Sequence, residues 1–272
     1  MEYALAAIGN AAAAIGILTP EGIVIVTEKK VSSKLLAPTK SSEKIYKVAD
    51  HVFTAVAGLN SDANILLNSA RLTAAQHAYT YAEDMPVEML VQQISDYVHG
   101  YTQSGGLRPF GVAFLYAGWD RHHGYQLYQS DPSGVYRCAA RPDPRPQIFF
   151  FLSLLATLTD PSHAHAHSPR TRGSCSGWKA TAIGSNSQSA TAALNSDYKA
   201  DMTLAEAVAL ALKTLTKAMD TTAPSSEKLE VATMTRDGAG RVKQHVFSAA
   251  ETDAALKAMA AAAPAAAPAP AP

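Results

Sequence analysis

Gly100-Tyr101-Thr102-Gln103-Ser104-Gly105-Gly106-Leu107-Arg108-Pro109-Phe110-Gly111-Val112 is the stretch on which the fold turns, because the hydrophobic period changes across it. Upstream, Val87, Leu90, Val91, Ile94, Tyr97, Val98 and Tyr101 fall on one helical stripe that starts beside Pro86. Proline's fixed φ suits the first turn of a helix. Downstream, residues 110–119 read as a strand. Between them Ser104-Gly105-Gly106 follows a helix instead of opening one, so it is no phosphate cradle. Its glycines are expected to end the helix, where left-handed backbone costs Gly little.

Outward from this join the same change of period repeats. Residues 124–130 form a second strand, reached through the polar Asp120-Arg121-His122-His123. Before the helix, residues 61–81 carry Leu66, Ala70, Ala74, His77 and Tyr81 at helical spacing, with Ser61 as the expected N-cap. Residues 51–58 are a strand. Residues 13–18 and 23–27 form a hairpin around Thr19-Pro20-Glu21-Gly22. On the C-terminal side come a strand at 179–183, helices at 187–199 and 204–219, strands at 229–235 and 242–247, and a last helix. Thr203 with Glu206, and Ser248 with Glu251, are capping boxes. Strand clusters thus alternate with helix pairs, which argues for an α+β fold of antiparallel sheets covered by helices.

Two regions resist this reading. Residues 137–177 have no consistent period and include Arg141-Pro142-Asp143-Pro144-Arg145-Pro146 and Phe149-Phe150-Phe151-Leu152. A structureless link of that length is unusual inside a domain. Residues 258–272 are Ala/Pro-rich and expected to be disordered. The expected organisation is one domain at 1–257, interrupted at about 137–177, followed by that tail.

The 272 residues are 47% apolar, and Lys plus Arg (23) equals Asp plus Glu (23). A chain built for the phosphate backbone usually carries a basic excess, so no nucleic-acid partner is expected. The longest apolar run, residues 148–158, is too short for the roughly 20 residues of a membrane span. No membrane association is expected, and Met1-Glu2-Tyr3-Ala4-Leu5 lacks the basic start of a secretory signal. Two cysteines, Cys138 and Cys175, exclude a disulfide scaffold and fit a reducing compartment. They match no zinc spacing. His163, His165 and His167 alternate in the anomalous stretch with no carboxylate or thiolate placed to complete a site; His122-His123 reads as a solvated turn. No G-x-S-x-G, P-loop or G-x-G-x-x-G occurs. No metal and no cofactor are expected.

Taken together, the 100–112 stretch, Glu2-Tyr3-Ala4, Ser42-Glu43-Lys44-Ile45-Tyr46-Lys47, Ala57-Gly58-Leu59 with Ser61-Asp62-Ala63-Asn64, Asp131-Pro132-Ser133-Gly134 and Lys179-Ala180-Thr181-Ala182-Ile183-Gly184 resemble the 20S proteasome family, in its α-type subunits. The blocks are collinear from residue 2 to about 257 apart from 137–177. Gly124-Tyr125-Gln126-Leu127-Tyr128-Gln129-Ser130 and Gly177-Trp178-Lys179 narrow the resemblance to one subunit type. The resemblance implies the four-layer αββα sandwich of the N-terminal nucleophile hydrolases, in its non-catalytic version. Catalytic relatives attack with an N-terminal threonine whose own amine, a lysine and an acid handle the proton. Counted back from Glu28, that threonine's position is Ala12, so no catalytic residue is expected.

The resemblance also implies a place in the outer ring of the 20S core, supporting ring assembly, substrate entry and regulator docking in ubiquitin-dependent degradation. The expected partners are neighbouring α subunits, β subunits beneath, and the C-terminal tails of regulatory particles. Lys44, with Gly58 and Leu59 as backbone wall, is the expected tail pocket, an ammonium suiting a terminal carboxylate. Tyr101, Gly105, Gly106, Arg108, Pro109, Phe110 and Gly111 are the expected ring-contact or signature residues. The compartment is expected to be cytoplasm and nucleus. Relatives carry a helix and gating tail ahead of Glu-Tyr-Ala, so this chain is expected to make no gate. A translated intron or a lineage-specific loop would account for 137–177; the intron is the expected origin, and its codons in every mature transcript would overturn that. The two competing readings are a catalytic β-type peptidase and an orphan copy that never assembles.

Overall fold

The strands at 14–18, 23–28, 52–58 and 112–120 are apolar almost without alternation, and the computed structural model shows why: they are buried on both faces. It describes residues 1–29, 44–138, 179–219, 228–238 and 240–262. In chain order the elements are α1 (Glu2–Gly9), β1 (Ala14–Leu18), β2 (Ile23–Glu28), β3 (Ile45–Ala49), β4 (Val52–Gly58), α2 (Asn60–Tyr81), α3 (Val87–Gln103), β5 (Val112–Asp120), β6 (Gly124–Ser130), β7 (Tyr136–Cys138), β8 (Ala180–Ile183), α4 (Ser187–Asp197), α5 (Leu204–Ala218), β9 (Leu229–Arg236), β10 (Val242–Val246) and α6 (Ala249–Ala262). Two five-stranded sheets result, ordered β10-β9-β2-β1-β8 and β3-β4-β5-β6-β7. Every pairing in both is antiparallel.

Parity along each strand sets the layers, since successive side chains point to opposite faces. Ile23 and Ile25 of β2 meet Phe53, Ala55, Leu115 and Leu127 of the other sheet in the central core. Val24 and Val26, one residue out of step, pack with Leu194, Leu212 and Leu215 of α4 and α5. On the far side Val52, Val56, Phe114 and Tyr116 pack with Leu66 and Leu67 of α2 and with Leu90 and Ile94 of α3. The order of layers is helix, sheet, sheet, helix, as the resemblance implied. Helix α1 lies across one end, against β4 and β5, and pushes Ile8 into the core between the sheets.

Local signals behaved unevenly. The Thr203 hydroxyl accepts from Glu206 N, and Glu206 accepts from Thr203 N at 2.9 Å, a complete capping box. Ser248 and Glu251 make the same exchange. Ser61, by contrast, is not a cap: α2 begins at Asn60, with extended Leu59 as its N-cap. Helix α3 runs to Gln103 and its cap, Ser104, is extended; the left-handed residue is Gly106 (φ 85°), beyond the cap. Helix α4 stops at Asp197, short of 199, and α6 continues past Lys257 to Ala262, so the expected boundary at 258 falls inside a helix. Pro264 is close behind that end.

Three elements have no counterpart in the sequence reading. In α1 only Ala4 and Ile8 are buried, too thin a stripe to register. Glu2-Tyr3-Ala4 is therefore itself the first turn of a helix. Strand β3 carries a register shift between Lys47 and Ala49 that breaks its alternation. Strand β7 is three residues long. Of the anomalous stretch, Arg137 and Cys138 belong to β7; the rest, with its histidines and Cys175, lies outside the described residues, as do residues 263–272.

Candidate functional site

At the β1–β2 end of the first sheet, Ala12 is buried at an internal position between α1 and β1. The peptide groups around it are tied down. Ser185 N donates to Ala11 O at 2.9 Å and Glu28 N donates to Ala13 O at 2.9 Å. The Glu28 carboxylate accepts the Ala13 N–H at 3.3 Å. The acid is thus spent on a backbone amide. Thr27, next to it, is buried, and its hydroxyl has no hydrogen-bond partner among the described residues. Across the sheet from Thr27 stands Glu230, itself buried, 3.6 Å from Lys29 Nζ.

The second region is the corner where β4 enters α2. Gly58 has φ 131°, and a Cβ there would come within 2.1 Å of Gly111 O. The close approach of β4 to the start of β5 demands glycine. Leu59 N donates to Gly111 O at 3.0 Å, and the Leu59 side chain, 46% exposed, lies over Gly111. From the first turn of α2, Asp62 receives both ends of the Arg108 guanidinium, at 2.7 and 2.8 Å, and the Gly111 N–H at 3.2 Å. Asp62 is 2% exposed whereas the Arg108 side chain is 68% exposed. The Arg108 hydrogen bonds, helped by the Gly111 N–H and opposed by burial, hold the Asp62 carboxyl below its ordinary range. Sequence reasoning quoted Asp62 only as part of a block and missed its role. The signal was an acid one turn after a strand-ending glycine.

Lys44 sits just ahead of β3. Its carbonyl accepts from Val56 N at 3.1 Å, placing it alongside β4 two residues before Gly58. Its N–H donates to Glu230 Oε2 at 3.1 Å, a link between the two sheets. The structure thus brings Lys44 and the Gly58–Leu59 corner to the same end of β4. Glu230 also went unnoticed in sequence, although a carboxylate inside the apolar Leu229–Met234 run was a visible anomaly.

The remaining signature residues form the wall beside this corner. Phe110 is buried and packs against Tyr101 with the rings tilted, centroids 4.5 Å apart. Tyr101 in turn shares a hydrogen bond of 3.0 Å with the Tyr97 hydroxyl. Pro109 O accepts from Arg108 at 3.3 Å. Gly105 and Gly106 are exposed, with open space where a Cβ would project. The Asp131–Gly134 turn is held to α3 by a 2.9 Å bond between His99 Nδ1 and Ser133 O. The Asp120–His123 link is not simply solvated: Asp120 is buried and accepts the N–H groups of His122 and His123. Among the described residues no group of three or more His, Cys, Asp or Glu side chains could hold a metal ion, and no helix is long and apolar enough to cross a membrane.

Comparison with known proteins meets this geometry from the other side. The chain matches the proteasome subunit family over residues 8–140 and 147–234. The chain belongs to the proteasome subunit family. It is 50% identical over 248 residues to proteasome subunit alpha type-4-A of Arabidopsis thaliana, spanning 91% of this chain and 84% of that protein. Proteasome subunit alpha type-4 of Spinacia oleracea is 49% identical over 248 residues, with the same shares. Proteasome subunit alpha type-4 of Dictyostelium discoideum is 49% identical over 259 residues, 94% of this chain and 88% of that one. Within the proteasome family, then, the likeness runs through α-type proteins, and it covers both the β1–β2 mouth and the Gly58–Arg108 corner.

Proposed function

We propose that this chain is a non-catalytic, structural subunit of the outer α ring of the 20S proteasome core. In that place it supports ring assembly, substrate entry and the docking of regulatory particles in ubiquitin-dependent protein degradation. The single observation that carries the non-catalytic reading is the β1–β2 mouth. The residue at the nucleophile's position is a buried alanine inside the chain, and Glu28 binds a backbone amide. An N-terminal nucleophile mechanism needs a hydroxyl or thiol and a free α-amine at that point. Similarity to α type-4 proteins supports the ring position.

The partners in this reading are neighbouring α subunits, β subunits beneath, and the C-terminal tails of regulatory particles. Lys44, beside Gly58 and Leu59, receives the tail's terminal carboxylate. Tyr101, Arg108 and Phe110 with the exposed Gly105–Gly106 loop form a ring contact, in which the half-exposed tyrosines and the guanidinium are the side-chain types that anchor interfaces. The working compartment is cytoplasm and nucleus. Expression of a tagged chain in cells tests the proposal. Native gels should show the tag co-migrating with peptidase activity at the size of assembled particles, and a tag that runs only as free chain refutes it.

A further inference from the structure

Among the described residues, Glu230 is the one buried carboxylate that reaches from the first sheet to the start of β3. It sits on β9 opposite Thr27, among Leu229, Val231 and Ala232. A charge this deep is costly unless it is paired and hydrogen-bonded. Both needs are met by the same neighbourhood: Lys29 Nζ lies 3.6 Å from Oε1, and the Lys44 N–H lies 3.1 Å from Oε2. The Lys44 peptide is thereby gripped from two sides. Its N–H is fixed to the first sheet by Glu230 and its C=O to the second sheet by Val56 N.

We infer that Glu230 is a positioning residue for the Lys44 pocket, fixing the origin of the lysine side chain so that its ammonium meets an incoming terminal carboxylate. The inference rests on the reading of Lys44 as the tail-binding lysine. Lys29 Nζ, 3.6 Å from Oε1, occupies the other side of the clamp and keeps the Glu230 side chain turned to its own neighbours and not to the tail. A pre-set lysine avoids part of the ordering cost that a mobile one carries on binding.

The test uses assembled particles carrying this subunit and a synthetic peptide with a free C-terminal carboxylate and a photo-crosslinker, scored by crosslinks to this chain. Hydrogen exchange at the Lys44 amide is read in the same particles. Glu230→Ala should weaken crosslinking about tenfold, the scale of one hydrogen bond to a charged group, and should unprotect the Lys44 amide. Glu230→Gln keeps an acceptor oxygen and should restore both. Lys44→Ala and a C-terminally amidated peptide should abolish crosslinking while leaving the exchange of neighbouring amides unchanged. Full crosslinking by Glu230→Ala, alongside loss in Lys44→Ala, overturns the role of Glu230 and spares the pocket. Undiminished crosslinking in Lys44→Ala overturns the pocket and this inference with it. A Lys44 amide that exchanges freely in the unaltered particle refutes the clamp whatever the peptide does.

Discussion

The β1–β2 mouth and the Gly58–Arg108 corner lie on different sheets of one sandwich and are built from opposite materials. The mouth is made of alanines and satisfied peptide groups, with its acid turned to a backbone N–H. The corner concentrates a positive-φ glycine, a two-pronged ion pair and an exposed leucine within a few residues. In the first arrangement the Glu28 carboxylate already holds a backbone N–H. The second fixes backbone direction and presents side chains outward, which is what a contact surface requires. The two regions are neighbours, since Glu230 stands opposite Thr27 and also accepts the Lys44 N–H, so they differ in their residues and not in their end of the sandwich.

The contrast can be broken experimentally, beginning at the corner. Gly58→Val puts side-chain atoms where Gly111 O already stands and imposes a φ that β-branched residues avoid. It should destabilise the chain by about 4 kcal/mol or more, and chemical denaturation would read this directly. A near-native midpoint would show that the corner is softer than described. Phe110→Ala removes a buried ring from beside Tyr101 and should cost about 3 kcal/mol by the same measurement.

Asp62→Asn is the subtler case. The folded-state carboxyl is held below its ordinary range, so its ionisation stabilises the fold above the ordinary value of about 3.9. That contribution is lost as pH falls through the lower, folded-state value. The variant should be less stable at neutral pH by about 2 kcal/mol. It should also show a shallower loss of stability on acidification than the unaltered chain. Parallel acid limbs would remove the Arg108–Asp62 pair from the account. The smallest effect belongs to the mouth. Ala12→Thr restores a hydroxyl at an internal, buried position with no free amine, and should leave the purified chain without peptidase activity on fluorogenic peptides.

Much of this was readable before any coordinates. The stripe on α3, the strand at residues 110–119 and the capping box at Thr203 rest on local periodicity and local hydrogen bonds, and these survive folding. The doubly buried strands were legible as apolar runs, although which face each residue takes became visible only once two sheets and two helical layers were stacked. What stayed hidden depends on contacts distant in sequence. Glu230 meets Lys44 across 186 positions and Arg108 meets Asp62 across 46, and neither spacing leaves a local trace. Strand β3 was lost for a different reason: a bulge spoils the alternation that identifies strands. Ser61 failed as a cap because α2 starts one residue earlier, directly from the strand-ending glycine and Leu59.

The central claim, a subunit that holds and receives but does not cut, is tested most directly by an electrophilic probe that labels N-terminal threonine nucleophiles, applied to assembled particles containing the tagged chain. The account predicts labelled bands from other subunits of the same particle and an unlabelled tagged chain of unchanged mass. A probe adduct on this chain, or a tagged chain found only outside particles that take up the probe, would contradict it.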